Sequence, residues 1–375
     1  MSRATRLRVA VVAPSLGILG GQAVQADRLL RAWQADPDVE AWLVPINPVP
    51  PRPLRWATRV KYLRTVVNEL IYGPLLLREL SRADVVHVFS ASYSSFLLSP
   101  LPAIAMARVL GRPVVLNYRS GQAPDHLSRS AIARATLAGV AMNVVPSRFL
   151  KDVFAGFGIH GATVIPNIVD LDRFVFRERQ PLRPRLVSTR NFESLYNVAC
   201  TLRAFKIVQE RRPEATLTLV GGGHEEQFLR ALVADLGLRG VIFTGRVAPD
   251  EIARHYAEND IYVQTPNIDN MPTSILEAFA SGLPVVATDV GGVPAILTDQ
   301  VHGLLAAADD HEAVAAHILR LLDDPQLATR LTHAAYATCQ RCTWPAVREL
   351  WLNVYRQVLP ASCQLSMAAT EHDVT

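Results

Sequence analysis

Short apolar runs alternate with amphipathic segments along most of the chain. The runs lie at residues 7–13, 41–45, 85–89, 113–117, 142–145 and 163–165, and then at 185–188, 216–220, 241–244, 261–264 and 284–287. Fully apolar strands separated by helices are typical of parallel sheets that helices cover on both faces. The pattern therefore predicts an α/β protein.

These strands are too many for one sheet, and a polar, proline-bearing stretch, "DLDRFVFRERQPLRP" at residues 170–184, separates the two sets. We predict two doubly wound, Rossmann-like domains, residues 1–176 and 177–342, facing across a cleft where strand ends meet. A C-terminal helix at 343–360 is expected to complete the first domain. Residues 361–375 show no periodicity and are predicted to be a disordered tail.

Composition narrows the class of protein. Half of the 375 residues are apolar and 19% are charged, which favours a packed core. No apolar run approaches 18 residues without a charge or a proline. The N-terminal apolar stretch, residues 9–14, is better explained as a first strand than as a signal peptide. Four cysteines with a lone CxxC at Cys339 and Cys342 favour unrelated thiols over a zinc site, and we expect a cytoplasmic protein.

Charge is distributed unevenly. Residues 1–160 contain 19 basic and 9 acidic residues, a net charge of +10, whereas residues 161–375 contain 19 and 25, a net charge of −6. This asymmetry predicts an anionic partner for the first half, either a phosphorylated substrate or an anionic membrane surface. No basic-aromatic platform supports nucleic acid binding.

A helix is predicted at residues 55–71. Its apolar residues recur at helical spacing: Trp56, Val60, Leu63, Val67 and Leu70. With Lys61 and Arg64 on the other side, it is either an interfacial helix on anionic lipid or a core-facing helix with a solvated basic face.

Two glycine-rich loops follow predicted strands. They are "LGILGGQ" at residues 16–22, with Gly20 and Gly21, and "TLVGGGHEE" at 218–226, with Gly222. Glycines there let backbone N–H groups approach a phosphate, although a tight turn explains them equally well. Neither loop has the GxGxxG pattern, which disfavours a nicotinamide-dependent dehydrogenase.

Arg190 follows a strand at its carboxyl end, where open α/β sheets bind ligands. Its planar guanidinium suits a diphosphate. The alternative is a surface arginine paired with Glu193.

The stretch "DNMPTSILE" places Asp269 after a strand and Glu277 within a helix that Pro272 helps to start. Two carboxylates and free helix N–H groups can together bind vicinal hydroxyls and a phosphate, as a nucleotide sugar presents them. The alternative is a solvated loop acid and a glutamate that favours the helix dipole.

The segment "DNMPTSILEAFASGLPVVATDVGG" resembles the hallmark of the retaining glycosyltransferases related to glycogen synthase and sucrose synthase (family four, GT-B fold). Further similar segments are "VPSRFLKDVF", "VIPNIVDLDRF", "TLTLVGGG", "VIFTGRV" and "TWPAVRELWLNVY". The resemblance extends from about residue 7 to residue 358.

The resemblance implies a role for each matching position. Glu277 would hold the ribose hydroxyls, Asp269 the donor-sugar hydroxyls, and Arg190 the leaving diphosphate. The other implied donor-binding positions are Gly20, Gly21, Tyr196, Gly222, Val247, Asn270, Met271, Pro272, Thr273 and Ser274.

This chain departs from the family pattern at four positions. Asp269 stands where the family usually has glutamate, Tyr196 replaces a lysine, and Ala295 replaces a glutamate. Arg119 stands where many relatives place a histidine near the donor sugar, and it is a third candidate catalytic residue beside Arg190 and Asp269.

We therefore expect a retaining hexosyltransferase. It would take a UDP- or GDP-linked sugar and a glycan or lipid-linked acceptor in cell-envelope, exopolysaccharide or glycolipid synthesis. We expect no metal and no cofactor beyond the nucleotide sugar, and a monomer or weak dimer that is peripheral on the membrane's inner face. The alternatives are a non-catalytic GT-B-like scaffold and a nucleotide-sugar epimerase.

Overall fold

The computed structural model describes residues 6–17, 20–52, 56, 60–90 and 92–360, with only the backbone at 61, 62 and 64. Within them the chain forms two compact units. Unit 1 contains the residues up to Pro166 and those from Arg348 on, and unit 2 is Asn167–Val347. Residues 167–176, expected in the first domain, lie in unit 2 because they pack there: the Val169 N–H donates to the Cys342 carbonyl at 2.9 Å.

Unit 1 is built on a six-stranded sheet in which every paired strand is parallel. The strands are β1 (Leu7–Ala13), β2 (Val39–Pro45), β3 (Val85–Ser90), β4 (Val114–Tyr118), β5 (Met142–Val145) and β6 (Thr163–Val164), in the order β2-β1-β3-β4-β5-β6. Its helices are α1 (Gly21–Gln34), α2 (Lys61–Leu80), α3 (Ser94–Leu98), α4 (Pro100–Val109), α5 (Ala123–Arg129), α6 (Ala131–Ala138) and α7 (Arg148–Gly156).

Unit 2 repeats this architecture. Its strands are β7 (Arg185–Ser188), β8 (Thr216–Val220), β9 (Val241–Gly245), β10 (Ile261–Gln264), β11 (Val285–Thr288) and β12 (Leu304–Ala306), in the order β12-β11-β10-β7-β8-β9. Its helices are α8 (Val198–Arg211), α9 (Glu226–Asp235), α10 (Ile252–Glu258), α11 (Thr273–Ala280), α12 (His311–Asp323) and α13 (Pro325–Cys339), and the last helix, α14 (Trp344–Val358), begins in this unit. The predicted pair of parallel sheets is confirmed, and β12 was missed because three residues are too few to show a period.

Helix α14 belongs to unit 1 from Arg348 onward. Its buried Tyr355 hydroxyl lies 2.8 Å from His87 Nδ1 on β3, and Arg348 forms an ion pair with Asp36 at 2.6 Å. Leu350 points to solvent, with 42% of its surface exposed, whereas Trp351 is 2% exposed. One side of this helix is thus fixed by aromatic and ionic contacts.

The predicted helix at residues 55–71 is wrong in its bounds, and its core-facing alternative is wrong about which residues are buried. The helix begins at Lys61 and continues to Leu80 through Pro74. Residues 55 and 57–59 of the predicted helix lie outside the described residues. Leu70, assigned to the same face as Val67, is 70% exposed while Val67 is buried. The exposed face instead carries an apolar stripe: Val66, Leu70, Pro74 and Leu77.

Within the part of the chain that the structure describes, no helix is both long enough and apolar enough to cross a bilayer.

Candidate functional site

The strand order of unit 2 reverses between β7 and β10, which are hydrogen-bonded neighbours. Strand β7 leads directly into Thr189 and Arg190, and β10 leads through Asp269 into α11. The carboxyl ends of parallel strands at such a reversal are where open α/β sheets bind ligands. The candidate site of unit 2 is therefore the pair of loops after these two strands.

Arg190 is held from three directions. Its guanidinium forms a short ion pair with the Asp269 carboxylate, and its Nη1 donates to Ser274 Oγ at 3.2 Å. The Tyr196 ring lies against it, with 4.0 Å between the guanidinium carbon and the ring centroid. The alternative that Arg190 is a surface residue paired with Glu193 is wrong, because only 10% of its side chain is exposed.

The environment of Arg190 keeps its charge. Burial lowers the pKa of a guanidinium. The Asp269 carboxylate outweighs that effect and holds the pKa of Arg190 above its usual value. Arg190 Nε is buried and has no hydrogen-bond partner among the described residues. A fixed cation with an unused donor can bind an anionic oxygen.

Two glycines hold these loops in place. A Cβ on Gly221 would lie 2.2 Å from the Arg190 carbonyl oxygen, and one on Gly292 would lie 1.7 Å from that of Asn270. Any side chain would push the neighbouring backbone away from its position. The glycines after β8 and β11 therefore fix the backbone that carries Arg190 and Asp269.

The start of α11 is also fixed. Pro272 precedes the first helical residue, Thr273, and the Asn270 N–H donates to Asp269 Oδ1 at 2.7 Å. Asn167 Nδ2 donates to the Met271 carbonyl at 2.6 Å, so a side chain of the same unit holds this turn. Such a helix start combines backbone N–H groups with the positive end of the helix dipole.

Glu277 is buried on the first turns of α11 and accepts a hydrogen bond from the Tyr256 hydroxyl at 2.9 Å. Thr189 Oγ1 lies 2.7 Å from the same hydroxyl. Burial and then the Glu277 carboxylate raise the pKa of Tyr256, so the phenol stays protonated as a donor at neutral pH. Tyr256 was not predicted, since its position in an amphipathic helix indicates only a core residue.

A second network of buried hydrogen bonds supports the Ser274 side chain that contacts Arg190. Ser274 Oγ donates to Gln264 Oε1 at 3.1 Å, and the Tyr262 hydroxyl donates to the same oxygen at 3.0 Å. A glutamine within an apolar strand was the available signal for this network, because a buried amide requires partners.

The remaining predicted donor-binding residues of unit 2 lie on nearby loops. Gly222 follows β8, and a Cβ there would lie 3.2 Å from Arg246 Cγ. Val247 is partly buried and packs against the apolar cluster that also contains Met271.

The predicted residues of unit 1 lie beside its own strand ends. Gly20 precedes α1 with extended backbone, Gly21 is the first helical residue, and Gln22 Nε2 donates to the Ser90 carbonyl at 3.1 Å. Arg119 follows β4, and its guanidinium carbon lies 5.3 Å from the Phe89 ring centroid. Burial lowers the pKa of Arg119 to about 9, so it remains a cation at neutral pH.

No group of three or more metal-binding side chains comes together among the described residues. Cys339 and Cys342 are buried free thiols, and burial raises their pKa values to about 12 and about 11.

Both halves of the chain resemble known proteins. The profile described as Glycosyltransferase Family 4 matches residues 9–173, and the one described as Glycosyl transferases group 1 matches residues 174–338. The structure of Anabaena HepE in complex with UDP-glucose superposes with a TM-score of 0.75 at 17% identity, covering 93% of this chain and 99% of that chain. At this identity the likeness establishes the fold.

Two curated relatives illustrate the sequence similarity. The sulfoquinovosyl transferase of Arabidopsis thaliana is 27% identical over 314 residues, which are 76% of this chain and 59% of that protein. This chain thus spans less than two thirds of the plant protein's length. The GDP-mannose-dependent alpha-(1-6)-phosphatidylinositol monomannoside mannosyltransferase of Mycobacterium tuberculosis is 30% identical over 258 residues, 62% of this chain and 67% of that protein. With both profiles matched and the fold shared, the chain belongs to the group 1 glycosyltransferases of the GT-B fold.

Proposed function

We propose that the protein transfers a hexosyl group from a UDP- or GDP-linked sugar to a glycan or lipid-linked acceptor, with retention of the anomeric configuration. The observation that carries this proposal is Arg190, a buried cation fixed beside Asp269 and Ser274 where the strand order of unit 2 reverses. A permanent cation there suits a diphosphate leaving group.

Each side chain has a chemical role in the proposal. Arg190 and the backbone at the start of α11 stabilise the developing diphosphate charge, and Glu277 accepts hydrogen bonds from the ribose diol. Asp269 accepts hydrogen bonds from the donor sugar. Its present ion pair with Arg190 is compatible with this role, because phosphate oxygens can take over the guanidinium and leave the carboxylate to the sugar hydroxyls.

Retention follows if the acceptor attacks from the side on which the diphosphate departs. The bond between the anomeric carbon and the phosphate oxygen breaks, and a bond from that carbon to the acceptor oxygen forms. The acceptor proton passes to the departing phosphate. The protein's contribution is electrostatic, and Arg190 with the helix N–H groups supplies the positive charge that a metal would otherwise provide.

The ligands and activities of relatives support the class of donor and acceptor. HepE was solved with UDP-glucose, and the mycobacterial relative is described as GDP-mannose-dependent and acting on a phosphatidylinositol mannoside. These ligands motivate the choice of UDP- and GDP-sugars and of lipid-linked acceptors for this chain.

We also propose that unit 1 binds the acceptor and rests on the cytoplasmic face of an anionic membrane. Support comes from the net charge of +10 on residues 1–160 and from the exposed stripe on α2, where Leu70 and Leu77 are 70% and 52% exposed. Apolar side chains next to basic ones are the usual composition of an interfacial helix. This role would explain why α2 presents leucines to solvent.

The test is transfer by the purified chain. UDP- and GDP-sugars are screened for thermal stabilisation, and those that bind are incubated with lipid-linked acceptors, whose products are analysed by mass and by proton NMR. We expect a product with the anomeric configuration of the donor and activity that survives EDTA. An inverted anomer would contradict the mechanism, and absence of binding by any nucleotide sugar would favour a non-catalytic protein.

A further inference from the structure

We propose that Tyr256 is a positioning residue that orients the Glu277 carboxylate for the ribose of the donor. The inference rests on the proposed function, because it gives Glu277 a ribose to bind. It adds a residue on a separate helix, α10, to the donor site.

The geometry fixes one oxygen of the carboxylate. The Tyr256 hydroxyl donates to Glu277 Oε2 at 2.9 Å, and both side chains are buried, at 0% and 7% exposure. A hydrogen bond from a neutral donor to a buried carboxylate is stronger than one between neutral groups. Because one oxygen is held, the plane of the carboxylate is determined before any ligand arrives.

The hydroxyl of Tyr256 is itself held in place. Thr189 Oγ1 lies 2.7 Å from it and immediately precedes Arg190 in the chain. The ring of Tyr256 stacks on that of Tyr262, with 5.7 Å between centroids and 20° between planes, and meets Phe174 edge-on at 5.6 Å. The phenol therefore has little freedom to rotate away from Glu277.

This arrangement connects the two ends of the proposed donor site. Thr189 belongs to the loop that carries the cation for the diphosphate, and Glu277 belongs to the helix that would hold the ribose. The Tyr256 hydroxyl joins them through two hydrogen bonds, so the distance between the diphosphate and ribose groups is set inside unit 2.

The test compares two nucleotides in three proteins. Titration calorimetry measures the dissociation constants of UDP and of 2′,3′-dideoxy-UDP for the wild type, Tyr256→Phe and Tyr262→Phe, with GDP and its dideoxy analogue as a second pair. Tyr262→Phe is the matched control because it also removes a buried phenol hydroxyl from the same ring stack. That hydroxyl donates to Gln264 and lies 3.4 Å from Thr189 Oγ1, compared with 2.7 Å for the Tyr256 hydroxyl.

We expect Tyr256→Phe to weaken the binding of UDP about tenfold, which is the scale of one hydrogen bond to a charged group. The affinity for the dideoxy analogue should change by less than about twofold. Tyr262→Phe should leave the ratio between the two nucleotides unchanged. With the sugar nucleotide as substrate, Tyr256→Phe should raise KM and leave kcat unchanged.

Other outcomes separate the two hypotheses. Equal losses for both nucleotides, or none, would refute the role of Tyr256 while leaving the donor site intact. A wild type that binds neither UDP nor GDP would refute the proposed function itself. Should Tyr256→Phe fail to fold, Thr189→Val removes the hydroxyl behind Tyr256, and it should shift the same ratio in the same direction by a smaller factor.

Discussion

Arg190 remains charged although little of its surface reaches water. Its usefulness depends on being fixed as well as charged, because a cation that must first be desolvated and oriented stabilises a transition state less. Without a ligand, the Asp269 carboxylate, the Ser274 hydroxyl and the Tyr196 ring fix the guanidinium, and the last two would still hold it once the diphosphate replaces Asp269. Tyr196 stands where the family pattern has a lysine, so one mobile cation is exchanged for an aromatic face that holds the remaining one.

Replacing Glu277 should weaken nucleotide binding. Glu277→Ala removes the acceptor of the Tyr256 hydroxyl and, on the proposed function, the acceptor for the ribose diol. We expect the binding of UDP or GDP to weaken by roughly 1–3 kcal/mol, the cost of leaving polar groups unpaired. Calorimetry measures this directly, and unchanged affinity in a variant with normal thermal melting would remove Glu277 from the site.

Helix α14 shows how adjacent residues on one element differ in importance. Trp351 is buried, and its ring centroid lies 4.7 Å from that of His87, whereas Leu350 is 42% exposed. We expect Trp351→Ala to lower the free energy of unfolding by about 3–5 kcal/mol, because it leaves a large cavity. Leu350→Ala should stay within about 0.5 kcal/mol. Chemical denaturation of both variants measures the difference, and similar losses would contradict this account of the helix face.

The exposed leucines of α2 form the surface that we propose contacts the membrane. Replacing Leu70 and Leu77 by glutamine should reduce binding to anionic vesicles by at least about tenfold. A leucine that the membrane removes from water contributes roughly 1.5–3 kcal/mol to binding. Stability should hardly change, because both residues are exposed. Val109→Gln, on the 82% exposed residue of α4, is the matched control. Vesicle sedimentation measures binding, and equal binding by all variants would remove α2 from the interface.

The sequence predicted elements where one periodicity dominates. Strands such as β1 and β3 are mostly apolar and almost wholly buried, so their positions and the parallel sheets follow from pattern alone. Helix α2 defeated the same reasoning, since its apolar residues face both the core and solvent, and Pro74 does not end it.

The candidate site was predictable for residues that follow strands. Arg190 and Asp269 stand at strand ends, where function is expected from topology. Tyr256 and Gln264 could not be assigned, because their roles arise from hydrogen bonds between residues distant in sequence and within elements that look like core. These hydrogen bonds can be identified only once the positions of α10 and β10 relative to α11 are known.

At the scale of the whole molecule, both units share one architecture but differ in charge and in their buried polar groups. In unit 1 the core contains His87, whose Nε2 lies 3.0 Å from Asn117 Nδ2. Burial, and secondarily the charge of Arg119, lowers the pKa of His87 to about 3. His87 is therefore neutral in the folded state of this unit.

This burial predicts a pH dependence of stability. The pKa of His87 is below its ordinary value of about 6.5, so the unfolded chain binds the proton first as the pH falls. The stabilisation is complete above pH ~6.5 and is lost between about pH 6.5 and 3, by roughly 1.4 kcal/mol per pH unit. In His87→Gln, which keeps a donor and an acceptor without titrating, that part of the slope should disappear.

Tryptophan fluorescence can follow this unfolding, because four of the five tryptophans (Trp33, Trp42, Trp56 and Trp351) belong to unit 1, and only Trp344 belongs to unit 2. Denaturation series at several pH values give the slope for both proteins. Parallel slopes for wild type and His87→Gln would show that another group controls the acid sensitivity of unit 1.

On the proposed function, Arg190 of unit 2 drives the departure of the diphosphate. The most direct measurement is the rate of donor consumption under saturating nucleotide sugar by the wild type, Arg190→Ala and Arg212→Ala. Arg212 is a partly exposed arginine of the same unit that pairs with Asp323, and it serves as the control. We predict that Arg190→Ala lowers kcat by about 10²–10³-fold, while Arg212→Ala matches the wild type. Equal rates for Arg190→Ala and the wild type would contradict the account.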